Sequence, residues 1–485
     1  MLFNSYIFVF LFLPMSLIGY FGLNSIKRYS LAKIFLIGMS FWFYGYFNPS
    51  YLVIMCASIV INYFISDIMH KSNNKPLRKI ILWLGILFNI GILFYFKYHD
   101  FFFSNINQAF GTDFTLRHLV LPLGISFFTF QQLSYVIDSY KKDVPKYNFF
   151  DYSLFVTFFP QLVAGPIVLH SEIVPQFADK SKKKLNADNF AKGLMAFGIG
   201  MAKKVLVADS LGRIANWGFD NLAMLNTTTA CIVMLSYTMQ LYFDFSGYCD
   251  TATGIGYMFN IKLPANFNSP YKAITILDFW DRWHMTLTRF FKTYVYFPLG
   301  GSRKGKIRTY INVFIVFVVS GIWHGANWTF IVWGMVHGAF SVFTRMFKKY
   351  IDKIPKIINW FITFAFVNFA WVIFRAKSLA DVEGFYYKIF KEGTGPIPKE
   401  MLDAFSLPEV TLLNRLYGDK YPNITLWVLI AFVVLCFLAA VFMKNTNQRI
   451  KSFKPTVLGC ILTAFLLAYT IVSLSGISTF LYFNF

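Results

Sequence analysis

The sequence has few charged residues, few cysteines and no clustered histidines. Only 14% of its 485 residues are charged and 56% are hydrophobic, which excludes an ordinary soluble domain. The five cysteines and seven histidines show no spacing typical of a disulfide framework, a zinc site or an HExxH motif. The spacing of a phosphate-binding P-loop is also missing. We therefore expect neither a metal centre nor a permanently bound cofactor.

Long apolar runs fill most of the chain and predict a polytopic all-α membrane protein surrounded by membrane lipids. Several runs are shorter than the ~20 helical residues that cross a ~30 Å hydrocarbon core. Some must therefore be re-entrant, tilted or buried inside a helical bundle. The predicted runs are residues 6–23, 34–46, 51–68, 80–96, 119–135, 154–168, 191–207, 231–242, 310–322, 328–343, 357–373, 424–443 and 457–474.

The basic residues lie in short loops between the apolar runs. The 45 Lys and Arg residues against 23 Asp and Glu give a formal charge of +22. In such loops they mark the cytoplasmic side, so we expect no nucleic-acid partner. Loops 27–33, 71–79 and 141–146 are predicted to be cytoplasmic, and turn 48–50 and the N-terminus external. We expect no cleavable signal peptide, because Lys27-Arg28 follows the first apolar run instead of preceding it.

One integral-membrane domain over residues 1–485 is the predicted organisation, because no repeat or long linker divides the chain. Two polar excursions interrupt it, at residues 171–189 and 377–423. The first is predicted to be cytoplasmic. The second contains a predicted amphipathic helix, Leu379–Phe390, which either lies on the membrane surface or docks a partner.

The central segment, residues 244–338, is unusually rich in polar residues for membrane-embedded chain. Irregular polar backbone at membrane depth is tolerated only where protein or a water-filled cavity covers it. Residues 263–271 have two prolines and no helical period, which predicts a re-entrant or cavity-lining loop of this kind.

His324 is the central candidate for chemistry. From the basic residue Arg308, 16 residues of helix rise by about 24 Å to His324. A second apolar run then descends from Trp328 to Arg345, so His324 is predicted at the crest of a helical hairpin within the membrane. An ionisable side chain there indicates function, and a neutral imidazole can act as a general base. A single histidine bonded to a neighbouring helix is the structural alternative.

Glycines with small-xxx-small spacing on both arms of this hairpin predict close helix packing. They are Gly321, Gly325, Gly334 and Gly338. His337, lower on the second arm, is predicted to be a packing or supporting group.

A second polar cluster lies some forty residues earlier in the sequence. If Asp278 to Arg289 were one helix, Asp278, Arg282 and Arg289 would fall at i, i+4 and i+11, with His284 turned away. An architectural Asp278–Arg282 ion pair is one interpretation. The other puts Arg282, Arg289 or Lys292 at the cytoplasmic mouth of a cavity, where they hold the phosphates of a nucleotide-bearing donor.

Taken together these motifs resemble the membrane-bound O-acyltransferase family, within it the bacterial alginate and peptidoglycan O-acetyltransferase branch. The resemblance covers most of the chain in order. It runs through residues 158–166, 247–256, 263–271, 278–287, 296–303, 320–325, 333–338 and 374–376. Many relatives carry Arg-Asp-Tyr where this chain has Lys292-Thr293-Tyr294, so an acidic role at that point is not carried over.

The resemblance implies a helical bundle with re-entrant segments around a transmembrane tunnel, in a bacterial cytoplasmic membrane. The acyl donor, acetyl-CoA, enters from the cytoplasm. The family's essential histidine falls on His324, as general base or transient carrier, and its Trp-His pair falls on Trp283 and His284. His284 is then expected to orient the thioester or stabilise the oxyanion. A separate extracytoplasmic protein with a serine nucleophile is implied as partner, with a polysaccharide as final acceptor.

Two other functions stay open from the sequence. One, in the same family, is transfer of D-alanine to teichoic acid from a carrier protein. The other is a transporter or flippase in which Asp244, His284 and His324 relay protons. The lack of an inverted repeat in the sequence argues against a transporter.

Overall fold

The computed structural model describes residues 1–142, 144–405, 407–418, 420–474 and 480–481. Within these ranges all regular elements are helical, which confirms the all-α prediction. The α-helices of the N-terminal part are α1 (Leu13–Ser25), α2 (Tyr29–Gly45), α3 (Ser50–Lys71), α4 (Lys75–Leu93), α5 (His99–Phe110), α6 (Ile125–Lys141), α7 (Phe149–Thr157), α8 (Phe159–Leu162), α9 (His170–Ala178), α10 (Ala187–Ala202) and α11 (Asp209–Asp220).

The remaining α-helices begin with the long central helix. They are α12 (Thr227–Met258), α13 (Ile276–Trp280), α14 (Met285–Phe291), α15 (Lys306–His324), α16 (Trp328–Met346), α17 (Lys348–Ile351), α18 (Lys356–Arg375), α19 (Leu379–Phe390), α20 (Lys399–Ala404), α21 (Pro408–Tyr417), α22 (Ile424–Phe442), α23 (Thr446–Lys451) and α24 (Val457–Val472). Short π-helical turns extend several of them, among them Lys203–Ala208 between α10 and α11.

Six helical stretches in the described ranges are long and apolar enough to cross a membrane. They are Phe8–Ser25, Ser50–Lys71, Lys75–Phe110, Lys306–His324, Lys356–Arg375 and Ile424–Phe442. The protein is therefore a multi-pass membrane protein, as predicted.

The helices group into two compact units. The first comprises Met1–Gly200, Tyr248–Ala265 and the described residues from Phe453 onward. Buried amides join its helices. Asn62 on α3 donates to Gln132 on α6 (3.0 Å) and to Asn89 on α4 (3.2 Å), and Tyr152 on α7 donates to Gln132 (3.1 Å). Hydrogen bonds of this kind stabilise helix contacts where lipid offers no partner.

The basic loops of the first unit lie at one end of its helices. Arg78 at the start of α4 donates to the carbonyl oxygens of Ser139 (3.2 Å) and Tyr140 at the end of α6. Lys142 donates to Asn73 in the preceding loop (3.2 Å). These contacts support the prediction that loops 71–79 and 141–146 share one side of the membrane.

The predicted excursion 171–189 is fixed to α1. Lys183 is buried, and its Nζ donates to the Phe177 carbonyl oxygen (2.5 Å) and to the Tyr20 hydroxyl near the end of α1 (3.4 Å). Burial lowers the pKa of Lys183 to about 8, and the neighbouring Lys33 lowers it in the same direction.

Two predicted runs are not continuous helices. The run 119–135 becomes helical only at Ile125, because Pro122 lacks an N–H group and Gly124 has a left-handed backbone (φ 71°). The run 154–168 is interrupted at Phe158, between α7 and α8, directly before the Phe159-Pro160 pair. Both ends of that break are buried, so this run does not cross the membrane as one helix.

The second unit comprises Met201–Gly247 and Asn266–Ser452, and its centre is the hairpin of α15 and α16. A Cβ atom added to Gly321 would lie 2.3 Å from the Phe330 carbonyl oxygen, and one added to Gly334 would lie 2.5 Å from that of Phe317. Backbone of one helix therefore packs on backbone of the other, which confirms the close packing that the glycine spacing predicted.

The polar excursion 377–423 contains α19, α20 and α21. Helix α19 has the predicted bounds, and it buries Val382, Phe385 and Ile389 while Tyr387 and Phe390 are exposed. The loop after it is fixed to the start of α12, because the Thr227 N–H group donates to the Gly393 carbonyl oxygen (2.9 Å).

We predict that Gly321→Ala destabilises the protein by roughly 1–3 kcal/mol, because the added methyl group must push α15 and α16 apart. The matched control is Gly91→Ala in α4, where no heavy atom lies within 4 Å of the new Cβ. It should be neutral or slightly stabilising, since alanine is the better helix former. Thermal unfolding of the purified proteins in detergent measures both. Equal shifts for the two variants would contradict the close packing.

Candidate active site

His324 is the last residue of α15 and lies at the crest of the hairpin, as predicted. Asn327 caps the returning helix α16, because its Oδ1 accepts from the Thr329 N–H group (3.0 Å). Its Nδ2 donates to the Lys377 carbonyl oxygen (2.9 Å), which fixes the crest to the end of α18. The turn that carries His324 is therefore held at both sides.

Aromatic rings surround the His324 imidazole, which is buried. Its ring centroid lies 4.9 Å from that of Trp323, 5.2 Å from that of Trp333 and 5.2 Å from that of Phe374. Such aromatic walls limit the access of water to the imidazole. A neutral imidazole in a water-excluded site is suited to take a proton or to attack a carbonyl carbon.

His284 lies in a sharp turn between α13 and α14. The single helix considered for Asp278 to Arg289 does not form, because the chain leaves helical geometry and His284 adopts a left-handed backbone (φ 46°) before α14 begins. Non-glycine residues in this region are uncommon and often functional. The buried imidazole is 3.1 Å, through Nδ1, from Asn266 Oδ1, and its ring contacts Phe245 (4.8 Å between centroids).

The structure brings the two predicted catalytic histidines to one indole ring. Trp323 lies 4.9 Å from His324 and 6.3 Å from His284, measured between ring centroids. The loop at residues 263–271 is irregular, as predicted, and supplies Asn266 to the site. The sequence indicates this loop but does not single out Asn266 within it. A polar side chain within an irregular buried loop was the available signal.

His337 is fully buried among aromatic rings. Its ring lies 5.0 Å from Trp280, 4.7 Å from Trp333 and 5.1 Å from Phe366. Trp333 thus contacts both His337 and His324. These contacts agree with the packing role that we expect for His337.

The predicted donor-binding residues are spread along α14 and the turn before it. Arg282 pairs with Asp278 (Nε to Oδ1, 2.6 Å), in agreement with the architectural interpretation. Arg289 is half-buried in α14, and Lys292 is exposed at its end. Phosphate binding by these three basic residues stays a prediction.

A buried ion pair lies in the same unit. Lys204 Nζ is 2.7 Å from Asp244 Oδ1 and 2.8 Å from Asp209 Oδ1. Only 2% of the Lys204 side chain and 3% of the Asp244 side chain are exposed. The sequence shows Lys204 inside an apolar run and Asp244 directly after another, but it does not pair them. Asp244, considered above as a proton relay, is thus engaged in a close structural contact.

We predict that Lys204→Met destabilises the protein by about 3–5 kcal/mol, because it removes the buried ammonium group that lies 2.7 Å from the buried Asp244 carboxylate. Lys377→Met is the matched control, since the Lys377–Asp220 pair is exposed (69% and 51% of the side chains). It should change stability by less than about 1 kcal/mol. Thermal unfolding in detergent compares them, and similar stabilities would show that Lys204 is not required to neutralise Asp244.

Comparison with known proteins gives a consistent result. The family described as MBOAT, membrane-bound O-acyltransferase family, matches residues 61–380, which include His284, His324 and Asn266. The whole chain is 41% identical to the peptidoglycan O-acetyltransferase of Helicobacter pylori, of which it covers 98%. Over 81% of the chain it is 38% identical to the probable alginate O-acetylase AlgI of Pseudomonas aeruginosa, covering 76% of that protein.

A more distant similarity extends over about half of the chain. Over 54% of its length the chain is 29% identical to the teichoic acid D-alanyltransferase of Bacillus subtilis, covering 70% of that protein.

Proposed function

Because the chain belongs to the membrane-bound O-acyltransferase family, we propose that it moves acetyl groups from cytoplasmic acetyl-CoA across the membrane to an extracytoplasmic polysaccharide. The protein is an O-acyltransferase, as the family and its relatives indicate. Full-length similarity to a peptidoglycan O-acetyltransferase is the observation that supports acetyl as the group and a cell-envelope polysaccharide as the acceptor. A bacterial cytoplasmic membrane is the corresponding location.

In this proposal His324 takes part in the chemistry as general base or transient acyl carrier. Its aromatic wall, formed by Trp323, Trp333 and Phe374, keeps water from the reacting groups. His284, whose ring centroid lies 6.3 Å from that of Trp323, is the second catalytic histidine. The crest position supports a transfer point in the membrane interior, between a donor from one side and an acceptor from the other.

We also propose a separate extracytoplasmic partner with a serine nucleophile, which takes the acetyl group and delivers it to the polysaccharide. The excursion at residues 377–423 is a suitable contact region, since Lys377 is bonded directly to the crest residue Asn327. Deleting the genes for candidate partners, singly and together, should abolish polysaccharide acetylation while this protein is still expressed. Normal acetylation in the strain that lacks all of them would contradict the partner.

We predict that His324→Ala lowers acetyl transfer by about 10²–10⁴-fold, because the essential imidazole is removed. The assay follows radiolabelled acetyl from acetyl-CoA into polysaccharide in membranes that contain wild type or variant at equal amounts of folded protein. His337→Ala should keep the specific activity of the folded fraction, since His337 packs against Trp280, Trp333 and Phe366. Equal activity in all three proteins would remove His324 from catalysis.

In the same membranes, the acyl donor that supports transfer distinguishes acetyl transfer from D-alanine transfer. Transfer from acetyl-CoA supports the proposal. Transfer of D-alanine from a charged carrier protein, with no response to acetyl-CoA, would support the alternative that the similarity to a teichoic acid D-alanyltransferase raises. The matched control for His324→Ala is His118→Ala, at an exposed histidine. His118→Ala should not change transfer from either donor.

A further inference from the structure

Three donors surround one oxygen atom beside His284. Asn266 is buried, and its Oδ1 lies 2.9 Å from Thr286 Oγ1, 3.3 Å from the Thr286 backbone N and 3.1 Å from His284 Nδ1. Hydrogen bonds also join the two backbones, because the N–H group of Met285 donates to the Asn266 carbonyl oxygen (2.9 Å). The side chain and main chain of Asn266 thus hold the same turn.

The Thr286 backbone determines which way the Asn266 amide faces. A backbone N–H group can only donate, so the amide atom that it contacts must be the oxygen. The same atom faces His284 Nδ1. The orientation of the amide therefore follows from the Thr286 N–H group, which can only donate. It does not depend on an arbitrary assignment of the amide oxygen and nitrogen.

This arrangement determines the tautomer of His284. A carbonyl-type oxygen cannot donate, so Nδ1 must carry the proton in its contact with Asn266 Oδ1. In a neutral imidazole the other nitrogen, Nε2, then carries a lone pair and accepts. The backbone hydrogen bond between Asn268 and Arg282 (2.9 Å) holds the loop against the turn, which limits rotation away from Asn266.

We propose that Asn266 is a positioning residue that holds His284 as the Nδ1–H tautomer, so that Nε2 of His284 accepts the proton of the acyl-acceptor hydroxyl. The proposal rests on the acyl transfer proposed above and goes beyond it by assigning the proton. It replaces the expectation that His284 stabilises the oxyanion, because a neutral Nε2 without hydrogen cannot donate to a developing negative charge.

Because His284 is the base that accepts the hydroxyl proton, His324 takes the other role, that of transient acyl carrier. A ring nitrogen of His324 bonds the acyl carbon while the C–S bond of the thioester breaks, and the electron pair leaves on the thiolate. The acceptor hydroxyl then attacks the acyl carbon, the C–N bond breaks and its electron pair returns to His324. The hydroxyl proton passes to Nε2 of His284 and finally to the thiolate, which gives an ester and a thiol.

The first test observes the tautomer directly. The purified protein, labelled with ¹⁵N-histidine, contains seven histidines, and the signals of His284 are those missing from His284→Gln. At a pH where the imidazole is neutral, we expect a proton on Nδ1 only. Asn266→Asp should keep that proton, because the carboxylate still accepts, whereas Asn266→Leu should lose the preference for Nδ1. A proton on Nε2 in the wild type, or an unchanged tautomer in Asn266→Leu, would overturn the proposal.

The second test measures acetyl transfer in the same variants. We expect Asn266→Leu to lower activity by roughly 10²–10⁴-fold, the range for a misplaced group or a wrong tautomer. Asn266→Asp should rescue most of that loss. Asn368→Leu is the matched control, since Asn368 is equally buried but its Nδ2 donates to the Phe364 carbonyl oxygen within α18 (2.7 Å). Equal losses in the Asp and Leu variants would reduce Asn266 to a structural role and overturn the proposal.

Thermal unfolding of each variant separates misfolding from a catalytic defect. The tautomer measurement needs no substrate, so it stays decisive even if the wild type transfers no acetyl group. That result would refute the proposed function alone. Acetyl transfer by a wild type that carries the proton on Nε2 would refute the role of Asn266 and leave the proposed function standing.

Discussion

A polar group inside a membrane protein must find its partners within the protein, because the hydrocarbon offers none. The chain satisfies this constraint in three different ways around its candidate site. The Oδ1 atom of Asn266 accepts from three donors, and Lys204 pairs with Asp244. Asn327 caps α16 and also donates to the backbone after α18. Each arrangement connects segments that are distant in sequence, so the chemistry of the site and the packing of the second unit depend on the same contacts.

The glycine-lined hairpin supplies the second requirement, which is a fixed position for His324. Direct backbone contact at Gly321 and Gly334 leaves α15 and α16 little freedom to slide or rotate. The last residue of α15 then faces a wall of large rings, among them Trp333 and Phe374. The glycines of the hairpin let the two backbones approach closely. This close approach brings the aromatic side chains around the His324 imidazole.

The two histidines differ in what holds them. His324 has aromatic neighbours on several sides, whereas His284 is held by a hydrogen bond from Nδ1 and by a left-handed backbone. A ring surrounded by apolar groups suits a neutral nucleophile, and a ring with one nitrogen engaged presents the other as an acceptor. The same residue type can therefore serve two steps of one acyl transfer because the surroundings differ.

The sequence alone determined that this is a helical membrane protein, that basic loops share one side, and that His324 lies at a hairpin crest. These features depend on composition and on helical rise per residue, which are local properties. It also identified the family, because motifs in a fixed order carry that information. The sequence did not determine the break at Phe158, the turn at His284, the partner of Asp244 or the role of Asn266. The break at Phe158 lies beside Pro160, and a proline in the sequence does not by itself decide whether a helix ends or continues. The other three depend on contacts between separate segments, and only the tertiary structure decides which buried donor meets which acceptor.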